Sequence, residues 1–225
     1  MIGVMTYNVP HRKTYDVLCR LKAGGYQEVV VISSPFHYQK KFTSLIEHRP
    51  KTSNQIPIDT LCSNFGYQLF ETFESSPLQS NDIVLLCGAG IIDKETRERF
   101  RFINSHPGYL PNVRGLDALK WAIYGGEPIG VTTHQLGDEV DSGLLIERVL
   151  LDIYQNDTFH AVAQRQYEME VEMLVTAIEK IDDASEYIKS DGFPLHKRMS
   201  RSYELQLFEK FEAIIKNISI VSDKK

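Results

Sequence analysis

The chain has 225 residues, which at about 150 residues per domain leaves room for one domain with an elaboration or for two small ones. Lys and Arg number 25 against 30 Asp and Glu, a formal net charge of −5 that argues against a general polyanion binder, and 42% hydrophobic with 24% charged residues excludes a disordered or fibrous chain. Cys19, Cys62 and Cys87 are too few and too scattered for a disulfide framework and fit a reducing cytoplasm, and no run of about 18 apolar residues is present to span a membrane.

From the N-terminus, the apolar run from Ile2 to Thr6 predicts a strand. Val17, Leu18 and Leu21 predict a helix from about Lys13 to Lys22, stopped at Gly24-Gly25. The β-branched run from Val29 to Ile32 predicts a buried strand that completes a β-α-β unit. The mixed stretch from Phe36 to about Ser53 reads as helix or loop, and Asp59 to Phe65 as a short helix ended by Gly66. Asp82 to Cys87 is a continuous apolar run, expected as a central parallel strand that stops at Gly88-Ala89-Gly90.

Asp93 is placed to cap a charged helix reaching about Arg99, followed by a strand from Arg101 to Ser105 and a helix from Leu116 to Tyr124 closed by Gly125-Gly126. Ile129 to Leu136 and Leu144 to Leu151 are two further strands. Asp157 or Thr158 caps a long amphipathic helix bearing Tyr167, Val171, Leu174, Ile178 and Ile181, expected to lie on the sheet. The polar segment from Ser185 to Ser202, with Lys197, Arg198 and Arg201, reads as a solvated loop. Leu205, Phe208, Phe211 and Ile215 mark a last helix, whose apolar stripe either docks on its own sheet or meets a second copy in a homodimer, and the SDKK tail is expected to fray. The division is a core over 1–157 and a helical extension over 158–225.

The stretch richest in chemistry is INSHPGYLPNVRGLDALKWAIYGGEPIGVTTHQLGDEVDSG, from Ile103 to Gly143. Asn104 and His106 stand two residues apart at a strand end, so an extended chain projects both from one face. The strand that closes the stretch ends in Gly137-Asp138-Glu139-Val140-Asp141-Ser142-Gly143, from which a carboxylate can reach the histidine. An amide, an imidazole and a carboxylate with no Ser or Cys nucleophile suit acyl transfer by direct attack. In that reading Asn104 donates to a developing oxyanion, a contribution worth about 2.7 to 4 kcal/mol, and His106 handles a proton. The same residues also fit a turn-capping asparagine, a solvated histidine and an ordinary acidic turn. The single histidine among scattered carboxylates lacks metal-site spacing, so no metal is expected. His134 alternates within a strand and reads as packed, with a supporting role open to it; His37, His48, His160 and His196 show no partner in the sequence. Trp121, Tyr124, Met169 and Met173 read as packing groups on helices.

Together, N-x-H-P-G-Y-L-P-N-x-R-G and G-V-T-T-H-x-L-x-D-E-V-D-S-G resemble the formyltransferases that use 10-formyltetrahydrofolate. The resemblance spans about Asp82 to Thr158 closely and the first eighty residues in outline. It implies an α/β, Rossmann-like formyltransferase domain, a mostly parallel twisted sheet with helices on both faces, followed by the helical C-terminal extension. It implies catalytic roles for Asn104, His106 and Asp141: a neutral amine attacks the formyl carbon, Asn104 and His106 hold the tetrahedral intermediate, and Asp141 assists proton removal. It also implies a folate pocket built from backbone at Gly88, Ala89, Gly90 and Ile91 and at Gly137 and Asp138.

Within that family the acceptor is argued from departures. Thr6-Tyr7-Asn8-Val9-Pro10-His11 replaces the glycine-rich phosphate loop of the phosphoribosylglycinamide enzymes, which weighs against a ribose phosphate acceptor. The length and net negative charge weigh against a tRNA acceptor. The loop resembles that of the short sugar-nucleotide N-formyltransferases of surface-polysaccharide routes, pseudaminic acid among them. Asn112 and Arg114 are expected to help hold such a substrate, with His11, Arg12 and Lys13 meeting its diphosphate at a helix start. Phosphoribosylglycinamide formylation and a non-catalytic folate or nucleotide-sugar binding module are the competing readings, with a scaffold that dimerises through its last helix as a third. No nucleic-acid or membrane partner is expected, and the compartment is expected to be cytoplasmic.

Overall fold

The computed structural model describes residues 1–36, 43–51, 56–90 and 92–222. In chain order the elements begin β1 (Ile2–Tyr7), α1 (Arg12–Ala23), β2 (Val29–Ser34), α2 (Ile58–Phe65), β3 (Gln68–Phe70) and β4 (Ile83–Leu86). They continue α3 (Lys94–Arg99), β5 (Arg101–His106), β6 (Arg114–Gly115), α4 (Ala118–Gly125), β7 (Gly130–Leu136) and β8 (Gly143–Leu150). The chain ends with α5 (Phe159–Lys180), β9 (Glu186–Ile188), β10 (Leu195–His196), α6 (Arg201–Glu204) and α7 (Leu207–Ser222).

Eight strands form one sheet in the order β3-β2-β1-β4-β5-β7-β8-β9. The pairs from β3 to β5 are parallel, and those from β5 through β9 are antiparallel. Side-chain alternation splits the parallel half between two cores. Val4, Val29, Val31, Leu85 and Ile103 point to one face, against Val17, Leu18 and Leu21 of α1 and Tyr167, Val171 and Leu174 of α5. Val30, Ile32, Val84, Leu86 and Phe102 point to the other, against Phe73, Leu78 and Phe100. Burial on both faces is why these strands read as continuous apolar runs.

The caps sort out locally. Asp93 accepts from the Thr96 amide at 2.9 Å and starts α3, as expected. Of the two candidates for α5, Thr158 is the cap, its hydroxyl accepting from Ala161 N at 3.1 Å. Asp157 instead receives Arg165 at 2.8 Å, and that pair closes the turn before the helix.

The last forty residues depart most from the sequence expectation. The stretch from Ser185 to Ser202, read as a solvated loop, supplies β9 to the edge of the main sheet and β10 to a two-stranded sheet with β6. Both strands are two or three residues long and pair with partners far away in sequence, so no periodicity marks them. The same holds for β3, only three residues long and likewise unmarked in the sequence. The last helix runs further than expected, to Ser222, with Leu207 and Phe211 buried against α4 and the start of α5 while Leu205 and Phe208 face outward. The possible helix between Phe36 and Ser53 lies partly outside the described residues, as do His37 and the end of the SDKK tail. Among the described residues no helix is long and apolar enough to cross a membrane.

Candidate active site

β5 carries Asn104 and His106 at its carboxyl end, and antiparallel β7 runs beside it with Asn104 opposite His134 and His106 opposite Thr132. The direction of β7 matters for the acid. Its last residues pair near Ile103, so the loop at 137–143 must fold back along β5 before Asp141 can meet His106. It does so: His106 Nδ1 and Asp141 Oδ1 are 3.3 Å apart, both side chains nearly buried. The other ring nitrogen, Nε2, lies 2.9 Å from the Val113 carbonyl. Each ring nitrogen of His106 thus faces an oxygen, one from the backbone and one from a carboxylate. Asp141 keeps its second oxygen occupied by the Gly115 amide at 2.6 Å, and its backbone sits in the left-handed region at φ 53°.

Asn104 is half-buried, and its side-chain amide has no protein partner among the described residues. His134, directly across the ladder, is fully buried with Nε2 unpaired. Burial, with the nearby His106, pushes the His134 ring down to about 4 against the opposing pull of Asp141. The sequence placed His134 in the core; the structure places it in the core and against the site at once. A free amide and an orphaned imidazole nitrogen beside an imidazole–carboxylate pair leave polar valences for something other than protein.

The two backbone stretches expected to hold a folate differ in what surrounds them. The turn after β4 is packed by Tyr7, whose hydroxyl donates to the Ala89 carbonyl at 2.7 Å. A Cβ on Gly88 would stand 2.6 Å from the Tyr7 ring, whereas one on Gly90 would meet nothing within 4 Å. Gly88 is therefore small for the sake of Tyr7, and the open side of the turn is at Gly90. Ile91 lies outside the described residues. Gly137 closes the acidic turn through its amide to the Ser142 carbonyl at 2.9 Å. Asp138 is exposed and pairs with Arg97 of α3 at 2.6 Å, which ties the two stretches together at the surface.

The residues expected to hold an acceptor are spread out. Arg12 Nε donates to Asp16 at 2.7 Å, and Lys13 is buried with Nζ 2.8 Å from Glu170. Asn112 donates to Glu127 at 3.0 Å. Arg114 is 7% exposed and donates to the carbonyls of Val140, Ser190 and Phe193. His11 begins α1 without a side-chain cap bond, and burial first, then Lys13 and Arg49, push its ring down to about 4.

A buried network under the site was not visible in the sequence. Glu170 of α5 accepts from Lys13 and is paired with Arg49, and these cations outweigh the burial that would raise it, holding its carboxyl at about 2. Lys13 also reaches the Ser105 carbonyl, between Asn104 and His106, at 3.5 Å. Arg49 and Glu170 alone are 121 residues apart, and no spacing rule links the members of the network. Cys87 is buried beside them, its thiol pushed up to about 12 by burial, which leaves it a packing group and not a nucleophile. Among the described residues no cluster of His, Cys, Asp and Glu could hold a metal.

Residues 77–178 match the model of the formyl transferase family. Among curated proteins, the trifunctional purine biosynthetic protein adenosine-3 of Chironomus tentans is 29% identical over 115 residues, 47% of this chain and 8% of that protein. The dTDP-4-amino-4,6-dideoxyglucose formyltransferase of Mycobacterium tuberculosis is 29% identical over 104 residues, 46% of this chain and 44% of that one. The chain spans less than half the length of these relatives. Among solved structures, a likely sugar N-formyltransferase from Mycobacterium tuberculosis has a TM-score of 0.62 at 17% identity, covering 93% of this chain and 86% of that one. A formyltransferase from Anoxybacillus kamchatkensis, in complex with UDP-4,6-dideoxy-4-formamido-L-AltNAc and tetrahydrofolate, has a TM-score of 0.57 at 18% identity and covers 97% of each chain. At these identities the likeness is one of fold, a Rossmann-like formyltransferase architecture.

Proposed function

We propose, from the match of residues 77–178 to the formyl transferase family model, that this chain is an N-formyltransferase that moves the formyl group of 10-formyltetrahydrofolate to the amine of a nucleotide-linked amino-dideoxy sugar. The observation that carries the reading is the unpartnered Asn104 amide next to the His106–Asp141 pair, inside the segment that matches the family. The donor substrate brings a formyl carbon already activated by its folate nitrogen. The chain's residues supply the rest. The Asn104 amide donates to the formyl oxygen as negative charge develops on it, and the orphaned His134 Nε2 lies across the ladder from Asn104. The His106–Asp141 pair takes up the proton that the attacking amine must lose as its nitrogen–carbon bond forms. The bond from the formyl carbon to the folate nitrogen then breaks, and that nitrogen receives a proton. The open side of the turn at Gly90 fits a ring approaching backbone.

The sugar acceptor is supported by the relatives that act on nucleotide-linked amino sugars, and by the loop after β1, where the Tyr7 ring stands instead of glycines. The start of α1, with His11 and Arg12, is the candidate end for a diphosphate, with Asn112 nearer the reacting amine. A place in surface-polysaccharide synthesis, the pseudaminic acid route among them, follows from that acceptor class. The purine-synthesis relative supports the second reading, formylation of a phosphoribosylglycinamide.

The test is tetrahydrofolate release from 10-formyltetrahydrofolate with a panel of nucleotide-linked 3-amino and 4-amino sugars and with glycinamide ribonucleotide. Release that depends on one amino sugar supports the proposal. Release with glycinamide ribonucleotide alone moves the chain to the second reading, and tight folate binding without release for any amine supports a binding module.

A further inference from the structure

We propose that Arg114 is the positioning residue of Asp141: it holds the acidic loop in the folded-back path that brings the carboxylate to His106. The inference rests on the reading of Asp141 as the proton-handling partner. Three observations join at this arginine. Its Nη2 donates to the Val140 carbonyl at 2.6 Å, and that carbonyl belongs to the peptide plane that sets the φ of Asp141. Asp141 is one of three non-glycine residues with positive φ among the described residues, at 53°, a conformation that costs free energy and persists only where neighbours over-determine it. The residue after Arg114, Gly115, donates its amide to Asp141 Oδ2 at 2.6 Å. One dipeptide thus grips Asp141 by its backbone on one side and by its carboxylate on the other, leaving Oδ1 to face His106 Nδ1.

What keeps the dipeptide in place is the C-terminal segment. Arg114 Nη1 donates to the Ser190 and Phe193 carbonyls, each at 3.3 Å, and β6 pairs with β10 so that Arg114 stands beside Leu195 and Gly115 beside His196. The polar stretch that the sequence presents as a loop is therefore the outer wall of the catalytic loop. A guanidinium 7% exposed, with both terminal nitrogens committed to three main-chain carbonyls, is built as a fork between two segments. A lysine has one nitrogen in place of that fork and cannot reproduce it.

The experiment has two arms on Arg114→Ala and Arg114→Lys. In the free protein, hydrogen exchange at the Gly115 amide and across 137–143 should quicken by about tenfold or more in both variants, since the amide loses its fixed carboxylate partner. This arm needs no substrate, so it stands apart from the reading of the reaction. In the formyl-transfer assay kcat should fall about tenfold to a hundredfold, with KM for donor and acceptor within about twofold of the parent. In an Asp141→Asn background the further loss from Arg114→Lys should vanish, because the residue acts through Asp141. Unchanged exchange at Gly115, a raised acceptor KM with kcat intact, or full additivity with Asp141→Asn each overturns the proposal, the second by making Arg114 a substrate contact. Should Arg114→Ala fail to fold, Arg114→Lys carries every arm.

Discussion

Two of the polar clusters among the described residues are built on opposite terms. Around β5 and β7 the buried His134 Nε2 is left without a protein partner, beside the half-exposed Asn104 amide and the His106–Asp141 pair. Between α4 and α6, Lys120 and Glu204 are both fully buried and answer each other at 2.5 Å, while Glu204 also accepts from the Leu45 amide at 2.8 Å and the Met199 amide donates to Asp117 at 2.9 Å. The second cluster spends its polar groups on itself and ties α4, the segment at 43–49 and the C-terminal helices together. The first holds valences in reserve, which costs stability and is worth keeping only where a substrate completes them. Satisfaction, and not burial or charge, separates the structural cluster from the candidate site.

The largest effects should come from the reactive cluster. His106→Ala and Asn104→Ala should each lower the turnover of folded protein by about a hundredfold or more while the unfolding free energy changes little; near-parent turnover in either would put the chemistry elsewhere. Next in size is the structural cluster, broken from one side. Glu204→Gln leaves Lys120 buried without its counter-charge and should cost about 3 to 5 kcal/mol in a denaturant titration, a loss under about 1 kcal/mol showing that the pair is not a fastening.

Acid should expose a third difference. His11, His48 and His134 are each held near 4, mainly by burial, so between about 6.5 and 4 the unfolded chain binds protons that the folded chain refuses. Their contribution is complete above about 6.5 and is lost as pH falls toward 4, at up to about 1.4 kcal/mol per unit for each ring. Below that, the lowered Glu170 carboxyl adds a further loss as pH falls from the ordinary carboxylate range toward 2. His134→Gln should flatten the part of the profile between 6.5 and 4, and an unchanged slope would mean that the buried ring does not titrate with folding. The smallest effect is at the surface, where Asp138→Asn removes the exposed partner of Arg97 and should change stability by under about 1 kcal/mol.

The same contrast explains what the sequence made legible. Asn104, His106 and Asp141 fall within one stretch of the chain, two on a strand with period-two projection and one in a glycine-bounded turn, so the meeting of His106 with Asp141 and the family resemblance were readable together. The parallel strands were readable because burial on both faces leaves unbroken apolar runs, as in β4. Lys120 with Glu204 and Arg114 with Phe193 join residues 84 and 79 apart through single side chains, and nothing local marks either partner. For Tyr7 no signal was available: its role depends on the turn at Gly88-Ala89 arriving beside it, Ala89 from 82 residues away. The return of the acidic loop was hidden for a related reason, since whether β7 runs parallel or antiparallel to β5 decides the path and leaves no trace in composition.

The central claim, that this cluster carries a formyl group to a sugar amine, is tested most directly by following the carbon. The protein is incubated with 10-formyltetrahydrofolate labelled in the formyl carbon and the amino sugar that supports release, and the acceptor is analysed by mass spectrometry. The account predicts label on the sugar amine with the parent protein and at least about a hundredfold slower labelling with Asn104→Ala. Label that never reaches any amino sugar, or that reaches it equally fast with Asn104→Ala, would contradict it.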